Sequence, residues 1–278
     1  MKVAARIIIM LLALTVLSVG ISFFIPGRLA FVDSYSISIE KGLISLMEKM
    51  GSRSILRRNH PDPYTAQAVS YAELTPYLDE VRPGTLFFSD HGRTVSGLFI
   101  GGTWKHCGIF IGTLEQITCY WGKEHELVQS LREYYTSEDE YLIFDSSYEK
   151  GVAIHGIQEI AELSESSTLR ELLFIEYRLS KYKRSELLLK GLEHLGKEYD
   201  YCFVLENDDA LYCSEFLFKM LPGEQNIFVP SRKIMGRKFL LPSDLVQGIL
   251  DKGIEAGAFI HRGNISKSGG QLKYFSMQ

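Results

Sequence analysis

Cys213 stands in the first turn of a predicted helix, where a thiol is prepared to act as a nucleophile. The segment 211–221, LYCSEFLFKML, places Cys213, Phe216, Leu217 and Met220 on one apolar face. The unpaired N–H groups and the positive dipole end at a helix N-terminus lower a thiol pKa, and they can also donate to an oxyanion. Taken alone, the residue is equally consistent with a small buried hydrophobe.

His106 is the candidate base for such a thiol. It follows the glycine-containing stretch 101–105 and opens the apolar run 106–112, HCGIFIG, which predicts a strand. Alternation along a strand places His106 and Gly108 on one face and Cys107 on the other, so we expect Cys107 to point away from the site. A hydrogen-bonded structural histidine is the alternative. The other histidines are expected on the surface or in loops: His60, His91, His125, His155, His194 and His261.

The elements that must position these side chains indicate an α+β fold. Short β-branched or aromatic runs predict further strands at 116–121, 141–145, 152–155 and 172–177, with an apolar run at 85–88. Helices are predicted from 65 to 79, from Ser180 through Leu195 and from Tyr212 to Leu221. We expect a central antiparallel sheet with the Cys213 helix packed on one side, so that His106 meets the helix N-terminus within hydrogen-bonding reach.

The N-terminal region predicts a membrane segment. Residues 7–25 carry no charge, and at about 1.5 Å rise per residue they nearly match a hydrocarbon core of roughly 30 Å. Lys2 and Arg6 precede this run, which favours a cytoplasmic N-terminus and an extracytoplasmic remainder. A cleaved signal peptide is the alternative, although the apolar run continues past the small residues Ser18 and Gly20. We therefore predict a membrane anchor or signal peptide over 1–27, a juxtamembrane helix and linker over 28–63, and a globular domain over 64–278.

Composition excludes several classes of function. A formal net charge of -4 and a pI near 6.0 argue against a nucleic-acid partner, because such domains carry a basic surplus. The four cysteines lack the spacing of zinc ribbons and redox pairs, and no metal, cofactor or particular disulfide is predicted. They are Cys107, Cys119, Cys202 and Cys213.

Six short motifs occur in a specific order between about residue 80 and residue 247. They are RPGTLFF at 82–88, WKHCGI at 104–109, Asp145 followed by Gly151-Val152, YDYCF at 199–203, YCSE at 212–215 and LPSDL at 241–245. In this combination the chain resembles the circularly permuted, papain-like branch of the NlpC-type cysteine hydrolases, the YiiX/YebB-like group. That group is similar in architecture to the lecithin:retinol acyltransferase family. In it the histidine precedes the cysteine, the reverse of papain order.

The resemblance implies a role for each matching residue. Cys213 is the nucleophile, His106 the general base, and Asp145 the acidic third member that orients the imidazole. The family often has glutamate at that third position, so Ser146 and Glu149 are alternative partners. It also often has aspartate where this chain has Thr85. Tyr199 and Tyr212 are candidate substrate-binding residues, with aromatic core packing the alternative for at least one of them.

These roles predict a permuted papain-like hydrolase domain over 64–278 behind the membrane anchor. The expected enzyme cleaves amide or ester bonds of cell-envelope substrates, either peptidoglycan stem peptides or lipid acyl groups, through a thioester intermediate. One alternative is an acyltransferase that passes the acyl group to an amine or hydroxyl. Another is an inactive papain-like binding module.

Overall fold

The computed structural model describes residues 68–91, 102–161, 169–200, 208–221, 232–234, 237–253, 259–268 and 271–276, together with five isolated residues, Met10, Ala13, Leu14, Leu17 and Leu205. The isolated residues of the predicted membrane segment are helical. The rest of that segment, the predicted juxtamembrane helix and linker, and Cys202 lie outside the described residues. Within the described part, no helix has the length and apolar character needed to cross a bilayer.

A seven-stranded antiparallel sheet forms the centre of the fold, with strand order β4-β3-β2-β1-β5-β8-β9. Its strands are β1 Thr85–Asp90, β2 His106–Gly112, β3 Leu142–Ser147, β4 Gly151–Gly156, β5 Glu171–Tyr177, β8 Phe259–Ser268 and β9 Gln271–Ser276. A separate hairpin pairs β6 Arg232–Ile234 with β7 Arg237–Phe239. The predicted central antiparallel sheet is therefore confirmed.

Helices are interspersed with these strands along the chain. They are α1 Tyr71–Leu78, α2 Leu114–Trp121, α3 Glu126–Leu131, α4 Gln158–Ala161, α5 Lys181–Leu192, α6 Cys213–Met220 and α7 Pro242–Gly248. A 3-10 turn at Arg132–Tyr134 follows α3, and a π-helical turn at Ile249–Gly253 follows α7. The α+β class predicted from the sequence is confirmed.

The sheet separates two apolar clusters, because successive side chains of a strand point to opposite faces. On one face, Cys107 and Ile109 of β2 belong to the cluster that contains α6. On the other face, Phe110 of β2 packs in the cluster that contains Leu74 and Leu78 of α1. Full burial of one such leucine or phenylalanine side chain contributes roughly 1.5–3 kcal/mol, so both clusters fix the register of β2.

Helix α6 carries Cys213 and packs across β2 and β3. Tyr212 precedes it in an extended conformation, and Pro222 follows its last residues in the sequence. Phe216 and Leu217 are fully buried, and the centroid of the Phe216 ring lies 4.9 Å from that of the Phe144 ring on β3. The apolar face predicted from the sequence is thus the face that packs on the sheet.

The strand predicted at 116–121 is wrong, because this segment forms helix α2. The Thr113 side chain accepts a hydrogen bond from the Gln116 N–H, and the Gln116 side chain accepts one from the Thr113 N–H, which is a capping box. Ile117 and Trp121 are four residues apart and both are buried. The cap and this helical spacing outweigh the β propensity of an aromatic and β-branched composition.

Candidate active site

Cys213 is the first residue of α6 and is 4% exposed. A hydrogen bond with Cys107 lowers the pKa of its thiol; burial opposes this effect, and a hydrogen bond and the charge of His106 reinforce it. The result is a thiol pKa well below the ordinary value, as expected for a cysteine at a helix N-terminus beside a cation. This shift favours the thiolate form of Cys213.

His106 is the first residue of β2, and its side chain is 19% exposed. Its Nε2 lies 2.7 Å from Oδ2 of Asp145, which leaves Nδ1 as the ring nitrogen for the hydrogen bond with Cys213. Burial lowers the pKa of His106, but the charge and hydrogen bond of Asp145, with those of Cys213, raise it to about 10. These opposite pKa shifts favour a thiolate–imidazolium pair, and they are consistent with the predicted approach of His106 to Cys213.

Asp145 lies inside β3 and is 1% exposed. Burial raises the pKa of a carboxyl, but here the charges and hydrogen bonds of His155 and His106 hold it well below its usual range. On β2 the residue directly opposite Asp145 is Gly108, so the His106 side chain reaches the carboxylate diagonally across the strand pair. The structure thus brings together all three residues that the family resemblance singles out.

Four hydrogen bonds fix the N-terminus of α6 in place. The Ser146 hydroxyl of β3 donates to the Leu211 carbonyl at 2.5 Å, and the Leu211 N–H donates to the Glu198 carbonyl at 2.9 Å. On the other side, the Ser214 hydroxyl donates to the Leu240 carbonyl at 2.6 Å, and the Leu240 N–H donates to the Tyr212 hydroxyl at 3.2 Å. These bonds hold the nucleophile rigidly against the strand that carries Asp145.

A contact with α7 fixes the entry to β2. The Trp104 N–H donates to the hydroxyl of Ser243 at 2.9 Å, and Ser243 belongs to the motif LPSDL. A β-carbon at Gly102 would lie 2.3 Å from that hydroxyl oxygen, so only glycine permits this close approach. The motifs around residues 104 and 243 are therefore one structural unit that positions His106.

The prediction that Cys107 points away from the site is wrong. Cys107 lies in the same core cluster as Cys213 and interacts with its thiol, because α6 packs on the face of β2 that carries Cys107. The side chain of His106 points to the opposite face of β2, where its ring centroid lies 6.0 Å from that of Phe87. Because His106 is the first residue of the strand, its ring can still interact with the Cys213 thiol at the end of the sheet face. Burial raises the pKa of Cys107, whereas the pKa of Cys213 is lowered.

His155 was expected on the surface or in a loop, and that expectation is wrong because it lies in strand β4. His91 lies in the loop after β1, as expected, but it is buried there. The His155 side chain is 8% exposed, and its Nε2 lies 3.0 Å from Oδ1 of Asp145. His91 is 5% exposed and shares a 2.9 Å hydrogen bond with the Ser89 hydroxyl. Burial, and then the charge of His106, lower the pKa of His91 to about 3, so its ring is neutral.

The two tyrosines differ in exposure. Tyr212 is 1% exposed and its hydroxyl accepts the Leu240 N–H, so it takes the packing role that the sequence allowed for one of the pair. Tyr199 is half-buried against the same core cluster, and its contact with substrate remains a prediction. Among the alternative partners, Glu149 lies exposed in the β3–β4 turn, and the Ser146 hydroxyl donates to the Leu211 carbonyl.

The described residues contain no group of three or more histidine, cysteine or acidic side chains arranged to hold a metal ion. The site groups a thiol of lowered pKa, an imidazole and a buried carboxylate. Such an arrangement is suited to acyl transfer through a thioester.

Comparison with known proteins agrees with this geometry. The model of the permuted papain-like amidases, the YaeF/YiiX or C92 family, matches residues 80–266. The chain is also similar to a solved structure described as metalloprotein yiiX from Escherichia coli O157:H7, at 15% identity and a TM-score of 0.42, over 67% of this chain and 97% of that one. No curated protein matches this sequence.

The family match spans more than half of the chain and includes His106, Asp145 and Cys213. It supports a papain-like fold and a hydrolase activity of the amidase or peptidase type. The wider similarity to NlpC-type hydrolases and to lecithin:retinol acyltransferases stays a prediction. The chain belongs to the family of permuted papain-like amidases.

Proposed function

We propose that this protein is a cysteine hydrolase that cleaves amide or ester bonds with Cys213 as nucleophile, His106 as proton carrier and Asp145 as orienting anion. One observation carries the proposal. The imidazole of His106 is bound by a buried carboxylate at 2.7 Å through Nε2, while its other side hydrogen-bonds the thiol at the N-terminus of α6. This is the arrangement of nucleophile, base and orienting group that thiol acyl transfer requires.

The first half-reaction begins when the Cys213 thiolate attacks the substrate carbonyl carbon. The negative charge moves to the carbonyl oxygen, which the free N–H groups of the first turn of α6 are placed to stabilise. The imidazolium of His106 then gives its proton to the leaving amine or alcohol, and the carbon–nitrogen or carbon–oxygen bond breaks. The products of this step are the free leaving group, a thioester on Cys213 and a neutral imidazole.

The second half-reaction regenerates the site. Neutral His106 takes a proton from water as the hydroxide oxygen attacks the thioester carbonyl. Breaking the carbon–sulfur bond releases the carboxylic acid and restores the thiolate–imidazolium pair. Asp145 keeps its negative charge throughout, because its pKa lies well below the working range. Its contribution is to hold the ring in one orientation and to stabilise the imidazolium.

The substrate class is part of the proposal. The uncharged run at residues 7–25 supports a membrane-anchored enzyme that acts near a bilayer, on peptidoglycan stem peptides or on lipid acyl groups. The extracytoplasmic location follows from Lys2 and Arg6 in front of that run. Tyr199, which is half-buried and begins the motif YDYCF, is the proposed substrate-contacting tyrosine.

The test is turnover of a substrate panel by the full-length protein in detergent. The panel contains a muropeptide, a phospholipid and a p-nitrophenyl acyl ester, each with and without an added amine acceptor. Cys213→Ala is the test variant, and Cys119→Ala is the matched control because Cys119 is an exposed cysteine outside the site. Loss of turnover only in Cys213→Ala, with a thioester adduct on the Cys213 peptide, supports the proposal.

The remaining outcomes separate the alternatives. Acyl-amine products formed in preference to free acid would indicate an acyltransferase. Turnover that survives Cys213→Ala would contradict a thiol mechanism. The binding module would be favoured if Cys213 reacts with no substrate and iodoacetamide alkylates it no faster than Cys119.

A further inference from the structure

We propose that His155 is a positioning residue of this site, which holds Asp145 from the side opposite His106 and sets the charge that His106 experiences. The inference rests on the proposed function and adds a fourth group to it. His155 does not contact Cys213 in the sheet register; it acts through Asp145.

The two oxygens of the Asp145 carboxylate serve two different histidines. Oδ2 accepts from Nε2 of His106 at 2.7 Å, and Oδ1 accepts from Nε2 of His155 at 3.0 Å. Both bonds are shielded from solvent, since Asp145 is only 1% exposed. A carboxylate bonded through one oxygen alone can rotate about its side-chain torsions, whereas bonds at both oxygens fix the plane of the group.

The register of the sheet creates this symmetric arrangement. Directly opposite Asp145 stand Gly108 on β2 and Ala153 on β4, which are the two smallest residue types. The diagonal positions on those strands hold His106 and His155, and diagonal neighbours lie within reach of long side chains. The small opposite residues leave the space through which both imidazoles reach the carboxylate.

The hydrogen-bond partners of His155 favour a doubly protonated ring. Nε2 faces a carboxylate oxygen of Asp145, and Nδ1 faces the Gly156 carbonyl at 3.3 Å. Both partners are acceptors, so this environment favours a ring with hydrogen on both nitrogens, an imidazolium. Although burial lowers the pKa of His155, the charge and hydrogen bond of Asp145 and then the charge of Glu159 raise it overall.

Charged groups continue from His155 to the surface. Nδ1 of His155 lies 3.5 Å from Oε2 of Glu159 on α4, and Glu159 forms a 2.6 Å ion pair with Lys150 in the β3–β4 turn. The groups that face His155 are therefore Asp145 from β3, Glu159 from α4 and Lys150 from the turn, with His106 beyond Asp145. Signs alternate along the whole series from the thiolate to Lys150.

This charge pattern predicts opposite effects for two substitutions. His155→Gln keeps a donor for Oδ1 but removes the positive charge, so Asp145 attracts the proton of His106 more strongly and the His106 pKa rises. His155→Leu removes the donor as well and leaves Oδ1 buried without a partner, which drives the carboxylate to rotate or take up a proton. In that variant the His106 pKa falls and the thiolate population falls with it.

The experiment measures iodoacetamide alkylation of Cys213 against pH in the full-length protein, by mass spectrometry of the Cys213 peptide. For His155→Gln we expect the upper pKa of this profile, at which His106 loses its proton, to rise by about 0.5–1 pH unit. For His155→Leu we expect alkylation at pH 6 to fall roughly tenfold or more. His125→Gln is the matched control, since it makes the same change at a histidine that caps α3.

Thermal unfolding establishes whether each variant is folded. If His155→Leu does not fold, His155→Gln alone still tests the inference. A wild-type profile in folded His155→Gln, or a neutral His155 ring in nitrogen-15 spectra at pH 7, would overturn the inference and leave the proposed function intact. An ordinary thiol profile for Cys213 in the wild-type protein would overturn the proposed function itself.

Discussion

Gly108 lies directly opposite Asp145 on adjacent antiparallel strands, and a β-carbon at Gly108 would stand 2.7 Å from the β-carbon of Asp145. The same atom would stand 2.7 Å from the Phe144 carbonyl oxygen and 2.8 Å from the Phe87 ring. Backbone and core atoms cannot move aside as the end of a flexible side chain can. The glycine is therefore part of the site, because it provides the room for His106 to reach Asp145.

The first prediction follows from this contact. Gly108→Ala should displace Asp145 from His106, so that turnover falls by roughly tenfold or more, and it should lower stability through overpacking by about 1–3 kcal/mol. The measurements are kcat/KM and thermal unfolding. Gly156→Ala on β4 is the control, because its nearest new contact is Oε1 of Glu140 at 3.2 Å, the mobile end of a side chain. A folded Gly108→Ala protein with wild-type kcat/KM would contradict the assigned role of this contact.

The second prediction concerns the pH dependence of the thiol. The pKa of Cys213 lies well below its ordinary value and that of His106 is raised to about 10, so the reactive ion pair exists between these two limits. Alkylation of Cys213 should be equally fast at pH 6 and pH 8, and kcat/KM should fall above about pH 10, where His106 loses its proton. In His106→Asn the pKa of Cys213 should rise, so that alkylation becomes slower at pH 6 than at pH 8. A wild-type rate that rises tenfold per pH unit from 6 to 8 would contradict the ion pair.

The third prediction concerns the second sulfur of the site. The hydrogen bond with Cys107 is the largest influence that lowers the pKa of Cys213. Cys107→Ala should therefore raise the pKa of Cys213 and slow its alkylation at pH 6 severalfold, whereas Cys107→Ser retains a donor and should stay near the wild type. The backbone N–H of Cys107 also donates to the thiol and is unaffected by either change. Equal alkylation profiles in the wild type, Cys107→Ala and Cys107→Ser would show that this N–H alone is enough to lower the pKa of Cys213.

The sequence predicted the residues of the site better than their environment. Cys213, His106 and Asp145 sit in separate short motifs, and the family resemblance carried by those motifs predicted that they meet. The direction of Cys107 was predicted wrongly because it depends on which face of β2 receives α6, a non-local choice that alternation along one strand does not determine.

His155 was missed for a related reason. Its contact with Asp145 requires the register of β3 against β4, and a one-residue shift would turn the side chain to the other face. The helix at α2 was missed because local capping by Thr113 and Gln116 was not weighed against composition. Local chemistry was thus available in the sequence, while register and packing partners were not.

Glu215 adds an unusual acid to the nucleophile helix. It is fully buried two residues after Cys213, and its carboxylate oxygens have no hydrogen-bond partner among the described residues. Lys219 forms an ion pair with it at 3.5 Å. Burial raises the pKa of Glu215 from 4.5 to about 8, although Lys219 opposes the shift. The folded protein therefore keeps this carboxyl protonated at pH values where the unfolded chain has lost the proton.

The fourth prediction is that this residue costs stability as pH rises. Between the unfolded value of 4.5 and the folded value of about 8 the folded state binds the additional proton, so its contribution to the free energy of unfolding falls across that window. Glu215→Gln removes the titration and should be more stable than the wild type at pH 8, on the order of 1 kcal/mol or more, but close to it at pH 5. The measurement is thermal or urea unfolding at both pH values, with Glu186→Gln on the exposed face of α5 as the matched control. Because Asp145 and the other titrating groups are common to the wild type and Glu215→Gln, the difference between these two proteins isolates Glu215. An identical pH dependence in both would show that the buried carboxyl does not titrate in this window.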